Sequence, residues 1–389
     1  MRSTVTVLLM AVGLLLMLGA VMLLSASVQE PSPYRLTPHL WSMGLGLFCL
    51  VAAATFDYAW LRHRRLPLWF LGISMVLLLA VLMPQVGTRI NGARRWLFGG
   101  QPSELAKLAL IIFLADYAAR HQGRMDSRRL GFACPAAVGG LIVALVFAEP
   151  DWGGAFLIAA VAFAMLVVAG GSWWYFMSAG IIGAELGVLF LLGNWLRTVR
   201  VLAFLDPETY KSGAGWQAWI SQRAMAHGGF WGTFPGEGSY KNGLVPEQQT
   251  DFVLSLIGEE LGLPGTWLVL LLFAAIVICG SRIAWRVVDP FGKMLAFGVT
   301  FLIGMQALMN VCVVTSCVPD KGIALPFVSY GGSNLVVMLT CAGLLLNLAR
   351  RGPFAAPPPP LQSEFDFPGK PRPRPTRSFQ ALPKKRLHR

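Results

Sequence analysis

Long apolar runs recur along the whole chain, broken by short polar connectors. Each run is close to the roughly 20 residues needed to cross a hydrocarbon core about 30 Å thick. Strict alternation of apolar and polar positions, the mark of a half-buried strand, is absent. A segment in lipid must satisfy its own backbone amides, so the runs are read as helices. The pattern predicts about ten, centred on residues 7–25, 39–57, 67–85, 103–119, 131–149, 152–170, 173–193, 251–281, 291–313 and 327–349. Only Glu149-Pro150-Asp151-Trp152 separates the fifth from the sixth, which makes that pair a tight external hairpin. The first run follows Met1-Arg2-Ser3-Thr4 directly. It is too long for the apolar part of a cleaved signal peptide and is read as a retained helix.

Composition agrees. The chain has 389 residues, 55% hydrophobic and 13% charged, against about a quarter charged in soluble domains. The fold class is therefore all-α, a polytopic membrane protein. Net charge is +13, and its placement is more informative than its size. Basic connectors carrying Arg62, Arg64 and Arg65, then Arg120, Arg124, Arg128 and Arg129, then Arg282, Arg286 and Lys293, alternate with less basic ones. The excess of Lys and Arg puts these inside, with both termini cytoplasmic and an even number of spans. The six cysteines have no metal-ligand spacing and are read as small hydrophobes.

Two domains of behaviour follow. Residues 1–350 are expected to form a transmembrane domain, in which 194–250 is a large extracytoplasmic loop between helices 7 and 8. That loop carries Trp216, Trp219, Phe230 and Trp231, which suits a partly folded cap at the membrane surface. Residues 351–389 are rich in Pro, Arg and Lys and cannot bury a core. They are read as a disordered basic cytoplasmic tail attracted to anionic membrane lipids. No nucleic-acid partner is expected, since no folded reader accompanies the basic charge.

Candidate chemistry gathers at the external boundary. Asp251, at the junction of the polar loop and a long apolar run, is either an N-cap or a functional acid; intramembrane carboxylates are costly and commonly functional. Glu259 falls near the same helix face, so a general base, a cation site on Asp251 and Glu259, or both would suit the pattern. Glu104 and Lys107 stand one turn apart, as a structural ion pair or a cavity lining. Arg94, Arg95 and, in the loop, Arg197 and Arg200 add a basic external rim of the kind that binds phosphate. Lys321-Gly322 and Leu325-Pro326-Phe327-Val328-Ser329-Tyr330-Gly331-Gly332-Ser333 break a helix at membrane depth and expose backbone groups, as a kinked connection or a polar pocket floor.

Six strings lie in one order along the chain: NGARRWL at 91–97, QPSELAK at 101–107, FLDP at 204–207, PEQQTDF at 246–252, IGEELG at 257–262 and LPFVSYGGS at 325–333. With them the chain resembles the SEDS family, the FtsW/RodA group of peptidoglycan glycosyltransferases, over residues 5–350. The resemblance implies a ten-helix membrane enzyme of the cytoplasmic (inner) membrane, active on its extracytoplasmic side, that polymerises lipid II and releases undecaprenyl diphosphate. It implies Asp251 as the general base and Arg94, Arg95, Glu104, Lys107, Arg200, Lys321, Ser329 and Ser333 around the substrate. It also implies a cognate class B penicillin-binding protein as transpeptidase partner, beside other division or elongation proteins. Lys321-Gly322 resembles the cell-division (FtsW) branch more than the elongation branch. No cofactor is certain, and Mg²⁺ or Mn²⁺ would suit a pyrophosphate leaving group. The chain departs from the family at Gln249, Asp320, Asn334 and Glu149-Pro150-Asp151-Trp152-Gly153. The alternative is a flippase or transporter of the same lipid-linked precursor, which a charged cavity with a broken helix would also suit.

Overall fold

The computed structural model describes residues 2–27, 33–63, 65–90, 93–97, 99–193, 195–206, 208–213, 215–240, 250–319 and 322–352. The basic tail expected at 351–389 falls outside this set apart from its first two residues.

The chain is built of helices: α1 (Arg2–Ser27), α2 (Pro33–Thr55), α3 (Leu66–Leu82), α4 (Pro102–Arg120), α5 (Cys134–Ala148), α6 (Trp152–Val168), α7 (Trp173–Leu192), α8 (Trp195–Leu205), α9 (Trp216–Gly228), α10 (Val253–Glu260), α11 (Gly262–Arg286), α12 (Pro290–Val314) and α13 (Gly332–Arg351). A small antiparallel hairpin, β1 (Thr88–Ile90) with β2 (Ala93–Trp96), pairs Arg89 with Arg94. Among the described residues six helical stretches are long and apolar enough to span a membrane: 2–26, 37–55, 128–148, 262–286, 290–314 and 332–351. Helices α3 and α6 are apolar but shorter. Helix α4 fails the apolar criterion for a plain reason: it carries Glu104, Lys107, Asp116 and Arg120.

Those charges are tolerable because α4 is central. It packs on α3, α5, α6, α12 and α13, and most of its side chains, Glu104 and Lys107 included, are buried by protein. Helices α12 and α13 are the most enclosed of the spanning stretches, whereas α2 and α5 turn much of their surface outward. Trp41, Phe48, Trp69 and Trp285 project from this periphery, as an envelope facing acyl chains and headgroups requires.

Two sequence expectations need correction. The run 251–281 is not one helix: α10 ends at Glu260 and α11 starts at Gly262. Gly262 adopts φ +64°, and its backbone abuts Phe230, Trp231 and Gly232 of the loop, so the break is set by a close crossing of two backbones. The last helix starts at Gly332 rather than 327, because 325–331 forms a turn closed by Ser329 N–H on the Leu325 carbonyl at 3.0 Å. The cysteine reading holds for Cys279 and Cys341, while Cys134 and Cys317 are exposed.

Described parts of the loop pack onto the helices below, and we call them the cap. Helix α9 packs on α10, the Ser221 hydroxyl donates to the Val314 carbonyl at 3.1 Å, and Leu263 N–H reaches the Phe230 carbonyl at 3.1 Å. Trp216 and Trp219 lie 5.6 Å apart, with the Arg223 guanidinium 4.5 Å above Trp219.

At the other end, the buried Asn347 amide on α13 donates to the Ala53 carbonyl at 2.8 Å and to that of Phe56, holding the end of α2. Arg351 adds a bond to the Thr55 carbonyl at 2.6 Å and an ion pair with Asp57 at 3.1 Å. Replacing Asn347 with Leu removes the donor from two part-buried carbonyls, and a buried polar group left unpaired costs about 1–3 kcal/mol. Asn347→Leu should therefore lower the thermal unfolding midpoint in detergent, and an unchanged midpoint would mean the two carbonyls find donors elsewhere.

Candidate active site

Asp251 sits in the turn Thr250–Phe252, immediately before α10, and is partly exposed. Its carboxylate lies against the backbone of Gly322, where an added Cβ would come 2.8 Å from Oδ2. Any side chain at 322 would therefore push the Asp251 carboxylate aside. The Asp251 main-chain carbonyl accepts from Asn310 Nδ2 at 2.7 Å, and the same nitrogen reaches the Ile323 carbonyl at 2.7 Å.

Asn310 is on α12, and Gln306 stands one turn before it. The Gln306 amide donates to the Ala324 carbonyl and to Asn334 Oδ1, both at 2.9 Å. Its own oxygen accepts from Lys107 at 3.0 Å, and Lys107 pairs with Glu104 at 2.7 Å. Glu104 and Lys107 are only 8% and 5% exposed, so this is an interior pair whose desolvation is offset by direct contact and by the Gln306 oxygen.

The track continues through the neighbour of Asn334. The Ser333 hydroxyl accepts from Gln101 N–H at 2.7 Å, and the Gln101 side chain donates to Asp151 Oδ2 at 3.1 Å. Asp151 also caps α6 through Gly154 N–H and lies 3.7 Å from Arg95. Arg95 donates further to the carbonyls of Glu149, at 3.4 Å, and Pro150. Motifs far apart in the chain thus form one polar line from the β hairpin to Asp251.

Several expected residues have partners within the protein. Arg95 is engaged by the connector between α5 and α6. The Ser329 hydroxyl, buried, accepts from Leu325 N–H at 2.7 Å and serves its own turn. Glu259 accepts from Tyr240 N–H at 3.0 Å and lies 3.4 Å from His227, so the cap engages its carboxylate. Glu260 is met by Ser25 of α1 at 2.5 and 2.7 Å. Among the described residues no three His, Cys, Asp or Glu side chains gather as metal ligands. Arg94 lies on β2. Lys321 and Gln249 lie outside the described residues, as do the side chains of Arg197 and Arg200. The sequence reading missed Gln306 and Asn310 altogether, although two amides at i and i+4 in an apolar helix are a legible signal.

Residues 1–352 match the FtsW/RodA/SpoVE family of cell cycle proteins. The chain belongs to this family. Among curated FtsW/RodA/SpoVE relatives, the probable peptidoglycan glycosyltransferase FtsW of Trichlorobacter lovleyi is 36% identical over 341 residues, which is 87% of this chain and 89% of the relative. Stage V sporulation protein E of Bacillus subtilis is 34% identical over 351 residues, covering 89% and 95%. A chain of a solved peptidoglycan synthase complex that coordinates polymerization and crosslinking superposes with TM-score 0.74 at 29% identity, over 89% of this chain and 97% of that one. The crystal structure of the Thermus thermophilus rod shape determining protein RodA gives TM-score 0.67 at 28% identity, covering 89% and 96%. The fold is thus that of FtsW/RodA membrane proteins.

One buried acid of the site is unusual. Glu149, in the connector beyond the end of α5, is fully buried, and neither carboxylate oxygen has a hydrogen-bond partner among the described residues. Burial, and then the nearby Asp151 charge, push its carboxyl up to about 8, against the pull of Arg95. An acid raised in the folded state binds its proton more tightly there than when unfolded. Its contribution is complete below the ordinary glutamate range and is lost as pH rises through about 8. Wild-type protein should therefore lose thermal stability across that window, and Glu149→Gln should flatten the loss. Identical pH profiles for the two proteins would contradict this.

Proposed function

We propose that this chain is a peptidoglycan glycosyltransferase that polymerises lipid II, with Asp251 as its general base. The observation that carries the proposal is the placement of that carboxylate. Asp251 is partly exposed, sits on a short turn rather than in a helix, faces the backbone of Gly322, and ends a polar line through a protein of this family. The FtsW names of the relatives and the synthase complex support the activity.

In this reading Asp251 takes the proton from the acceptor GlcNAc 4-hydroxyl as its oxygen attacks the anomeric carbon of the donor MurNAc. The bond from that carbon to the pyrophosphate oxygen breaks, undecaprenyl diphosphate leaves, and the carbon inverts. A leaving group with this charge needs positive partners. Arg94 is proposed for that role, with Arg200 and Lys321. Arg95 organises the neighbouring connector instead, and Lys107 sets the Gln306 amide. The basic connectors support a reading with Asp251 on the extracytoplasmic side and both termini in the cytoplasm. The solved complex supports a class B penicillin-binding protein as partner for crosslinking. The FtsW relatives support work at the division septum.

Purified protein with its transpeptidase partner, given labelled lipid II, should make glycan strands, and Asp251→Asn should abolish them while leaving folding and partner binding intact. Polymer from the Asp251→Asn variant would remove the base from the mechanism. If neither protein polymerises but labelled lipid crosses vesicles, the transporter reading replaces this one. Gly322→Ala presses a methyl against the same carboxylate, and a displacement near 1 Å costs about a hundredfold in rate. That variant should lose most turnover without losing its fold, and full turnover would show that the carboxylate is not used where it lies.

A further inference from the structure

Asn310 and Gln306 are buried, at 0% and 1% exposure, on the inward face of an otherwise apolar helix. A polar side chain kept there at a desolvation cost has work to do. The Asn310 amide is oriented without ambiguity. Both of its contacts are backbone carbonyls, which only accept, so the nitrogen must point at them and each N–H serves one. One of those carbonyls belongs to Asp251 and the other to Ile323, next to the glycine that faces the Asp251 carboxylate. The two walls of the site, 59 and 13 residues from Asn310 in sequence, are therefore tied to one nitrogen on one rigid helix.

Neither wall has regular structure of its own. Residues 250–252 form a turn, and 322–325 run without helix or strand. The separation of the Asp251 carboxylate from its opposite wall is then set by the reach of a single amide. Gln306 holds the next carbonyl, Ala324, and is itself aimed by Lys107 and Asn334. The buried Glu104–Lys107 pair is thereby linked to the site without touching the acid.

We infer that Asn310 is a positioning residue for the Asp251 carboxylate, clamping the Asp251 turn and the Ile323 segment at a fixed gap, with Gln306 as the brace beside it. The inference rests on Asp251 being the base, and it adds a residue that never meets substrate yet sets the rate.

The test uses the full chain with its transpeptidase partner and labelled lipid II. Asn310→Ala removes both donors. Asn310→Asp keeps size and shape but sets oxygens against the two carbonyls. In protein shown to be folded by its unfolding midpoint and partner binding, both should lower kcat on the order of a hundredfold, with KM for lipid II within about threefold. Hydrogen exchange should quicken at residues 250–252 and 322–325 and stay unchanged elsewhere in α12. Asn310→Ser keeps one donor and is the variant to read where the alanine protein does not fold; it should show a smaller loss, again in kcat. Turnover within about threefold of wild type in any folded variant, or a loss carried by KM alone, would overturn the inference. A polymerising Asp251→Asn protein would instead defeat the base assignment. An inactive Asp251→Asn beside a fully active Asn310→Ala would defeat only the clamp.

Discussion

A backbone carbonyl away from water costs several kcal/mol unless a donor reaches it, and a non-helical segment at membrane depth must find every donor from its surroundings. The stretch from Gly322 to Gly331 lives under that constraint. Its carbonyls at Ile323 and Ala324 are met by Asn310 and Gln306 of α12, the Leu325 N–H by the Ser329 hydroxyl, and the Leu325 carbonyl by the Ser329 N–H. The Gly331 carbonyl opens α13 through Leu335 N–H. Because these needs are met mostly by side chains rather than by a helix, the chain can pass close to the Asp251 carboxylate as bare backbone at Gly322.

The same economy of partners explains the interior charges. Glu104 and Lys107 neutralise each other, and the Gln306 oxygen takes a further lysine N–H. Such a pair adds little net stability compared with an apolar substitute, but breaking it would leave a lone buried charge. Its value here is orientation: it fixes which way the Gln306 amide faces. Arg95 does the equivalent at the other end, drawing the β hairpin onto the connector between α5 and α6.

Much of this was legible in the sequence. The apolar runs located the spanning helices because lipid forces each to satisfy itself. A helix break near Pro326 and the paired glycines was readable, though the helix was expected to start at 327, five residues early; so was the acid at Asp251, from its place between loop and span. Other features were not legible, each for a physical reason. The break at Gly262 depends on the loop backbone crossing it, a contact between segments about 30 residues apart that no local pattern records. Glu259 shares a helix face with Asp251 on spacing alone, yet the cap engages it. Ser329 looked like a pocket hydroxyl, but its first obligation is to its own turn. Gln306 and Asn310 were overlooked because hydropathy averages a helix and hides two amides among twenty-odd apolar neighbours.

Part of the contact between the cap and α10 is backbone on backbone. Gly228 lies directly on the carbonyls of Gly258 and Glu259, Gly232 on that of Glu260, and Thr233 N–H bonds the Glu259 carbonyl at 3.0 Å. At those crossings a side chain on either glycine would meet backbone that has no room to give. At these points the loop backbone fixes where α10 lies, and the turn that carries Asp251 leads directly into that helix.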